Sequence, residues 1–392
     1  MIRLAAVIVL DSSPARFAGL DLVERALRLA RRAGADQIRI VEDAEPFAIA
    51  SDAALTLVLP ERVIVEPALV RAFVERGLRE FEDAAVLVDG DMDSTDVMLL
   101  SPEAVARVRT APRAHAALRR LMVEAIVAAV PCGDRFCARL TNLASVPAVE
   151  HEYMRVTNGG DGEGLFTRNI RRLSIPVSRR LVQVRVTANL VTLAGFALAV
   201  GAGIAFAAGS YGAGLAGALL YGASMVLDCS DGEIARATLG DSRFGAWLET
   251  ITDYLSYFVV LGGIVAGDAR VEGFCKHAVS AIVAAAASFA IVSLVGYLRA
   301  KVASENPGGF DDALAADLKK GTRVQRLAAW GRQLIKRSFV AHLILFQAVI
   351  GQLPALTEIW AVGSVAALVV VLAVHTHVIR TVRPALVPAA TV

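Results

Sequence analysis

Cysteine is scarce in this chain, with 4 residues among 392. Cys132, Cys137, Cys229 and Cys275 form no pairs with metal-site spacing, and their scarcity agrees with a reduced, cytoplasmic location. A convincing secretory signal is also missing, because the first apolar run stops at Asp11 and no clear cleavage pattern follows. We interpret this start as the buried first strand of a folded domain.

Net charge is small as well, at +2, and by itself it identifies no partner. We expect no nucleic-acid partner. Hydrophobic residues, in contrast, make up 56% of the chain and give a mean hydropathy of +0.56, which is too apolar for an ordinary soluble protein. Residues 1–160 mix charged and apolar residues, whereas long apolar segments follow Asn189, each near the ~20 residues that cross a bilayer. We therefore predict a soluble domain followed by a membrane domain.

The N-terminal part alternates strand-like and helix-like segments, which predicts an α/β domain with a mostly parallel sheet over residues 1–157. A helical pattern covers 102–130, and residues 131–163 are less regular. The glycine-rich run at 158–164 predicts a linker. The strand-like segments lie at 3–10, 37–41, 54–60, 62–66, 84–91 and 96–101.

Residues 158–188 join this domain to the membrane part. Within them, the segment LFTRNIRRLSIPVSRRLVQV at 165–184 has apolar residues at three- and four-residue steps with arginines between them. The pattern predicts an amphipathic helix in the membrane interface, with its arginines toward anionic headgroups. A charged helix packed on the soluble domain is the alternative.

Residues 189–392 are predicted to form an all-α, multi-pass membrane domain with six transmembrane helices, whose many small residues suit close helix packing in lipid. Lys and Arg concentrate on one side, and the other side carries only Arg270 and Lys276. The positive-inside rule then places both termini in the cytoplasm, with the protein in the cell (inner or plasma) membrane. The predicted spans are 189–208, 211–227, 244–266, 277–298, 338–356 and 359–379.

Four acidic residues interrupt the apolar pattern around the second and third spans, in DCSDGEIARATLGDSRFGAWLETITDY at 228–254. Asp228 and Asp231 are three residues apart and Glu249 and Asp253 four apart, so each pair shares a helix face. Unneutralised carboxylates beside hydrocarbon are costly. All-oxygen ligation favours Mg²⁺ or Mn²⁺, and carboxylate pairs on two helices favour a two-metal site for phosphoryl chemistry.

Small residues near these acids leave room for a flat or phosphorylated ligand to approach the backbone. Gly232, Ala235 and Gly245 lack bulky side chains, and Arg236 adds a cation that suits a diphosphate.

The segment resembles the signature of the CDP-alcohol phosphotransferase family, D-x2-D-G-x2-A-R-x8-G-x3-D-x3-D. Seven of its eight residues are kept, and Glu249 stands where the family has aspartate. TANLVT at 187–192 is similar to the family's T-P-N-x-x-T before the first span, with Ala188 in place of proline. The resemblance covers about residues 161–383.

The resemblance implies an integral membrane transferase that moves a substituted phosphate group from a CDP-alcohol to an acceptor alcohol or phosphoalcohol and releases CMP. It implies Asp253 as the base that deprotonates the acceptor, and a homodimer through the membrane domain is expected. The implied ligands of Mg²⁺ or Mn²⁺ are Asp228, Asp231, Glu249 and Asp253. The implied donor-binding residues are Gly232, Ala235, Arg236, Gly245, Asn189 and Thr192.

Arg299, Lys336 and Arg337 near span ends are candidates for binding an acceptor phosphate, with positive-inside charge and headgroup binding as the alternative. The substrates stay open between phospholipid head-group transfer and CDP-inositol-type transfer to a soluble acceptor. A non-catalytic scaffold and an ion-coupled transporter are the rival classes.

The N-terminal domain resembles a truncated sugar-phosphate nucleotidyltransferase. Its first loop offers only Gly19 and Arg16 where such enzymes have a glycine-rich, basic phosphate loop. We therefore expect a catalytically silent domain that braces the membrane part, aids dimerisation or binds a regulator. Asp89, Asp91 and Asp93 are interpreted as a polar loop rather than a metal site.

Overall fold

The computed structural model of this chain describes residues 4–10, 15–42, 45, 54–80, 83–89, 93–108, 113–124, 127–158, 164–273, 278–302 and 337–377. The chain divides into two units. The first comprises Met1–Gly160, Ile175–Thr187 and Gly232–Asp241, and the second Asp161–Ser174, Ala188–Asp231 and Ser242–Val392. The middle of the acidic segment therefore belongs to the same unit as the N-terminal domain.

The strands of the first unit are β1 (Leu4–Leu10), β2 (Arg16–Phe17), β3 (Leu20–Asp21), β4 (Ala35–Glu42), β5 (Leu55–Pro60), β6 (Val63–Val65), β7 (Ala84–Val88), β8 (Ser94–Leu100), β9 (Val127–Pro131) and β10 (Cys137–Arg139). Six of them form one sheet in the order β4-β1-β5-β8-β7-β9. Parallel pairing joins β1 to β4 and β5, and β7 to β9.

The sheet was predicted to be mostly parallel, and it is mixed: three strand pairs are parallel, whereas β8 runs antiparallel to both β5 and β7. Residues 89–93 alone connect β7 to β8, and a parallel crossover needs about a dozen residues or more. The helical prediction for 102–130 is wrong at its end, since Val127–Pro131 forms edge strand β9. The less regular region 131–163 contains a further helix that the sequence did not predict.

The helices of the first unit are α1 (Leu22–Arg32), α2 (Pro67–Glu80), α3 (Pro102–Val108), α4 (Ala114–Glu124) and α5 (Val146–Asn158). Alternate residues of the central strands enter separate cores, as the two-residue period of a strand requires. Ile8 and Leu57 pack in one core and Val7 and Val58 in the other. Leu239, from the acidic segment, is buried in the first of these cores.

The remaining helices are α6 (Leu165–Gln183), α7 (Ala188–Ala207), α8 (Tyr211–Ala237), α9 (Arg243–Glu272), α10 (Ala278–Val302), α11 (Arg337–Val349) and α12 (Ala355–His377). A helix thus covers the predicted juxtamembrane segment. Among the helices that the structure describes, three are long and apolar enough to cross a membrane, namely Ala188–Ala207, Tyr211–Ala237 and Arg243–Val271. Shorter apolar helical stretches lie at Ala278–Leu294, Arg337–Val349 and Ala355–Val369, so six complete spans stay a prediction.

The fifth predicted span, 338–356, runs across a break between helices. Gly351 has a φ of 71°, and the Gln352 amide donates to the Gln347 carbonyl at 2.8 Å. A glycine in this conformation, with a backbone bond reaching back over the last turn, is a common way for a helix to end. α11 therefore stops at Val349, and α12 starts at Ala355.

Helices α7 and α9 pack through glycines, as the small-residue content predicted. A Cβ placed on Gly263 would overlap the Gly203 carbonyl oxygen, and one on Gly267 would overlap the Phe206 carbonyl oxygen. A Cβ on Gly203 would lie 2.7 Å from the Val259 carbonyl oxygen. This backbone-to-backbone approach, typical of membrane helices, fixes the part of the second unit that carries the acidic residues.

Candidate active site

The acidic pairs lie on α8 and α9, in agreement with the helical spacing. Asp228 and Asp231 belong to the last three turns of α8, and Glu249 and Asp253 to the first three turns of α9. The start of α9 is defined by Ser242, whose hydroxyl accepts a hydrogen bond from the Gly245 amide at 3.0 Å. Serine satisfies a free amide at this position, and so the sequence places α9 as observed.

Asp228 and Asp253 converge from these two helices on one cation, the guanidinium of Arg337. The Asp253 carboxylate is 2.5 Å from Arg337 Nη1, and the Asp228 carboxylate pairs with Nη2. The three side chains are 16% to 26% exposed, so water screens their charges only partly. Glu249 is exposed and is also an electrostatic neighbour of Asp253. The structure thus joins two predicted metal ligands to a residue predicted to bind phosphate.

Asp231 is held separately from this cluster. Its side chain is 3% exposed and accepts a hydrogen bond of 2.6 Å from the Thr192 hydroxyl of α7. A hydroxyl bonded to a buried carboxylate stabilises its charge and fixes its orientation. Thr192, predicted as a donor-binding residue, therefore acts in this structure on a predicted metal ligand.

The donor atoms present fit a divalent cation in kind, since they are carboxylate oxygens, the ligands that Mg²⁺ and Mn²⁺ prefer. Asp228 and Asp253 already form ion pairs with one cation, the guanidinium of Arg337. Over the described part of the chain, no group of three His, Cys, Asp or Glu side chains is close enough to hold a metal ion. Two of the four acids are gathered around a cation, and the four-carboxylate, two-metal arrangement stays a prediction.

Two of the predicted donor-binding residues meet beside the start of α9. A Cβ on Gly245 would lie 3.0 Å from Asn189 Oδ1, so the Asn189 side chain lies directly against this glycine. A Cβ at position 245 would fit only if the side chains of Asn189 and Ser242 moved by a few tenths of an ångström.

Gly232, Ala235 and Arg236 lie in the first unit. The Arg236 guanidinium covers Gly232, where a Cβ would be 3.2 Å from both terminal nitrogens. Arg236 Nε also donates to the Asn158 side-chain oxygen at 2.5 Å. Ala235 is half-buried, and its carbonyl accepts from the Gly240 amide at 2.9 Å. Sequence reasoning missed Asn158, because it ends a helix in a stretch interpreted as linker.

Of the three basic residues predicted for an acceptor phosphate, the structure places one. Arg337 lies at the acidic cluster as described above. Arg299 lies in α10, but the structure does not describe its side chain. Lys336 lies outside the described residues. In the N-terminal domain, the Asp89 carboxylate accepts from the Asp93 amide at 2.9 Å, a turn contact that agrees with a polar loop, and Asp91 lies outside the described residues.

Comparison with known proteins gives the class of the region that carries this site. Residues 185–350 match the family model of CDP-alcohol phosphatidyltransferase. The matched region includes both acidic pairs, Arg337 and Asn189.

Individual relatives match over a similar region. The chain is 35% identical over 102 residues to the archaetidylinositol phosphate synthase of Methanothermobacter thermautotrophicus, which is 26% of this chain and 49% of the relative. It is 41% identical over 103 residues to the bifunctional IPC transferase and DIPP synthase of Archaeoglobus fulgidus, 26% of this chain and 20% of that protein. The chain thus matches half or less of the length of these curated relatives.

Among solved structures, the chain is similar to the phosphatidylinositol phosphate synthase of Mycobacterium tuberculosis with CDP-DAG bound. The match has 23% identity and a TM-score of 0.36, and it covers 56% of this chain and 100% of the other.

Proposed function

We propose that this protein transfers a substituted phosphate group from a CDP-alcohol to an acceptor alcohol and releases CMP, with a divalent metal as cofactor. The observation that carries the proposal is the convergence of Asp228 and Asp253, from two helices, on one cation inside the matched region. The two carboxylates outnumber the one guanidinium, so a divalent cation bound there would supply the positive charge that a diphosphate donor needs.

In this mechanism the chain's own residues divide the work. Asp228, Asp231, Glu249 and Asp253 would hold Mg²⁺ or Mn²⁺, which would supply charge neutralisation for the diphosphate and the leaving CMP. Thr192 keeps the Asp231 carboxylate oriented. Asp253 also accepts the proton of the attacking hydroxyl, since a carboxylate next to the acceptor is the available base.

The donor is placed by backbone access and one cation. Gly232, Ala235 and Gly245 carry little or no side chain, so the neighbouring polar groups meet the nucleotide. Asn189 lies beside Gly245, and Arg236, which covers Gly232, contacts the phosphates. Arg337 binds the phosphate of a phosphorylated acceptor, since its guanidinium lies beside Asp253, the proposed base.

For substrates, we propose an inositol-phosphate-containing reaction in phospholipid or inositol phosphodiester biosynthesis. The support is the similarity to an archaetidylinositol phosphate synthase and to a bifunctional IPC transferase and DIPP synthase. The location proposed with it is a membrane domain of six spans with both termini in the cytoplasm, forming a homodimer, with an N-terminal domain that has no catalysis of its own.

The test is CMP release by the purified protein in lipid nanodiscs, with CDP-diacylglycerol-type and CDP-inositol-type donors and with Mg²⁺, Mn²⁺ or EDTA. We expect metal-dependent release with one donor class, which also decides between the two substrate readings. Glu249→Asp should keep substantial activity and Glu249→Gln should lose it. Glu358→Gln, at an exposed carboxylate of α12 outside the signature, is the matched control. Equal activity in all three Glu249 forms would show that Glu249 holds no metal.

A further inference from the structure

Three arginines of α1 contact the segment that links the two acidic pairs, Gly232–Asp241, within the first unit. Arg25 Nη1 donates to the Ala237 carbonyl at 2.5 Å, and Arg28 Nη1 donates to the Thr238 carbonyl at 2.9 Å. Arg32 pairs with the Asp241 carboxylate at 2.8 Å. Positions 25, 28 and 32 fall on one face of a helix, so α1 presents all three together.

These contacts supply hydrogen-bond donors at the C-terminal end of α8, which ends at Ala237. The last carbonyls of a helix have no partner within the helix and carry the negative end of its dipole. The Thr238 amide turns back to Ile234, and the Gly240 amide turns back to Ala235. The carbonyls of Ala237 and Thr238 still need donors, and the guanidinium groups of α1 supply them.

The Arg25 side chain is buried against two aromatic rings. It is 3% exposed, and its guanidinium carbon lies 4.8 Å from the ring centre of Phe17 and 4.9 Å from that of Tyr153. The two rings themselves meet edge to face at 5.6 Å. Burial lowers the pKa of Arg25 below the usual arginine value, because removal from water disfavours the charged guanidinium. A buried cation of this kind needs well-placed acceptors.

Two further contacts fix the same segment. Leu239, with a φ of 50°, is 5% exposed in the core that also contains Ile8 of β1. Glu233 is fully buried and accepts a hydrogen bond of 2.6 Å from the Ser178 hydroxyl of α6. Residues 232–241 are therefore held by several contacts within the first unit. They connect Asp231 to Ser242, the N-cap residue of α9.

We infer that Arg25 and Arg28 are positioning residues for the signature: through them, helix α1 fixes the C-terminal end of α8 and the connection to α9. This positioning requires no catalysis by the N-terminal domain. The catalytic consequence rests on the proposed function, whereas the positioning itself does not.

Hydrogen–deuterium exchange on the full chain in nanodiscs tests the positioning. Arg25→Met and Arg28→Met should each raise the exchange rate of amides in 238–245 by roughly tenfold or more. Each variant loses a charge-assisted hydrogen bond, so this segment should unfold locally more often. Arg25→Lys should lie between Arg25→Met and the native protein. Arg31→Met changes an exposed arginine of the same helix and should behave like the native protein.

Exchange in β1 reports whether the N-terminal domain itself stays folded. The inference is overturned if exchange in 238–245 stays within twofold of the native rate in both variants. It is equally overturned if β1 exchanges faster by the same factor in both, because the arginines would then serve only the stability of the domain.

A CMP-release assay on the same variants tests the catalytic consequence. We expect kcat to fall in Arg25→Met and Arg28→Met, with a smaller change in KM for the donor, and no change in Arg31→Met. Faster exchange with unchanged kcat would refute the catalytic part. If the native protein releases no CMP at all, the proposed function fails, and the exchange data still decide the positioning.

Discussion

Replacing Arg337 by methionine tests the account of the acidic cluster. The substitution keeps much of the side chain's length and removes its charge, so Asp228 and Asp253 are left facing each other without the cation they share. We expect Arg337→Met to be markedly less stable than the native protein when divalent metal is removed, and to recover when metal is added.

The magnitude follows from the burial of the three side chains. Removing one partner of a buried ion pair costs about 3–5 kcal/mol, because the other charge stays desolvated. The 16% to 26% exposure of these side chains favours the lower end, about 3 kcal/mol of unfolding free energy. A metal at about 100 times its dissociation constant contributes about 2.7 kcal/mol, which restores most of that loss.

The assay is denaturant unfolding of the purified protein in detergent, in EDTA and in Mn²⁺. Arg270→Met, at an exposed arginine near the end of α9, is the matched control and should change little in either condition. An unfolding free energy of Arg337→Met equal to that of the native protein in EDTA would contradict a stabilising role for Arg337 between the two carboxylates. Equal stabilisation of the variant and the native protein by Mn²⁺ would contradict it as well.

Two further substitutions test neighbouring features by the same unfolding assay. Thr192→Val removes the hydrogen bond to the buried Asp231 and should cost about 1.5–3 kcal/mol. Thr250→Val, whose hydroxyl bonds only a backbone carbonyl of its own helix among the contacts described, is its control, and equal losses would contradict a special role for Asp231. Gly263→Ala forces a methyl against the Gly203 carbonyl and should cost about 1–3 kcal/mol, whereas Gly262→Ala points into open space and should be neutral. Equal effects of the two alanines would mean that α7 and α9 are not in backbone contact.

The local features of the site were predictable because they depend on short-range chemistry. The spacing of Asp228 and Asp231, and of Glu249 and Asp253, reports a helix period. Ser242 supplies the cap that starts α9. The many small residues of the apolar segments, Gly203 among them, indicated close helix packing, and the structure has it between α7 and α9. These signals need no knowledge of which elements meet in space.

Other features were missed because they depend on long-range pairing. The antiparallel direction of β8 follows from the short connection to β7, although its strand pattern alone looks like that of the parallel-paired strands. Arg25 and Arg28 have the spacing of any charged helix face, and only the fold brings them to the end of α8. Arg337 was predicted, with Arg299 and Lys336, as a candidate for binding an acceptor phosphate, and no sequence signal indicated its position between two carboxylates.

The most direct test of the central claim follows both products of the proposed reaction in one tube. With a donor carrying ³²P on the phosphate next to the alcohol, a metal ion and the acceptor, the label should appear in the acceptor product as CMP is released in equal amount. Asp253→Asn should abolish both. Label transfer that persists in Asp253→Asn, or the absence of CMP release with every donor tested, would contradict the account.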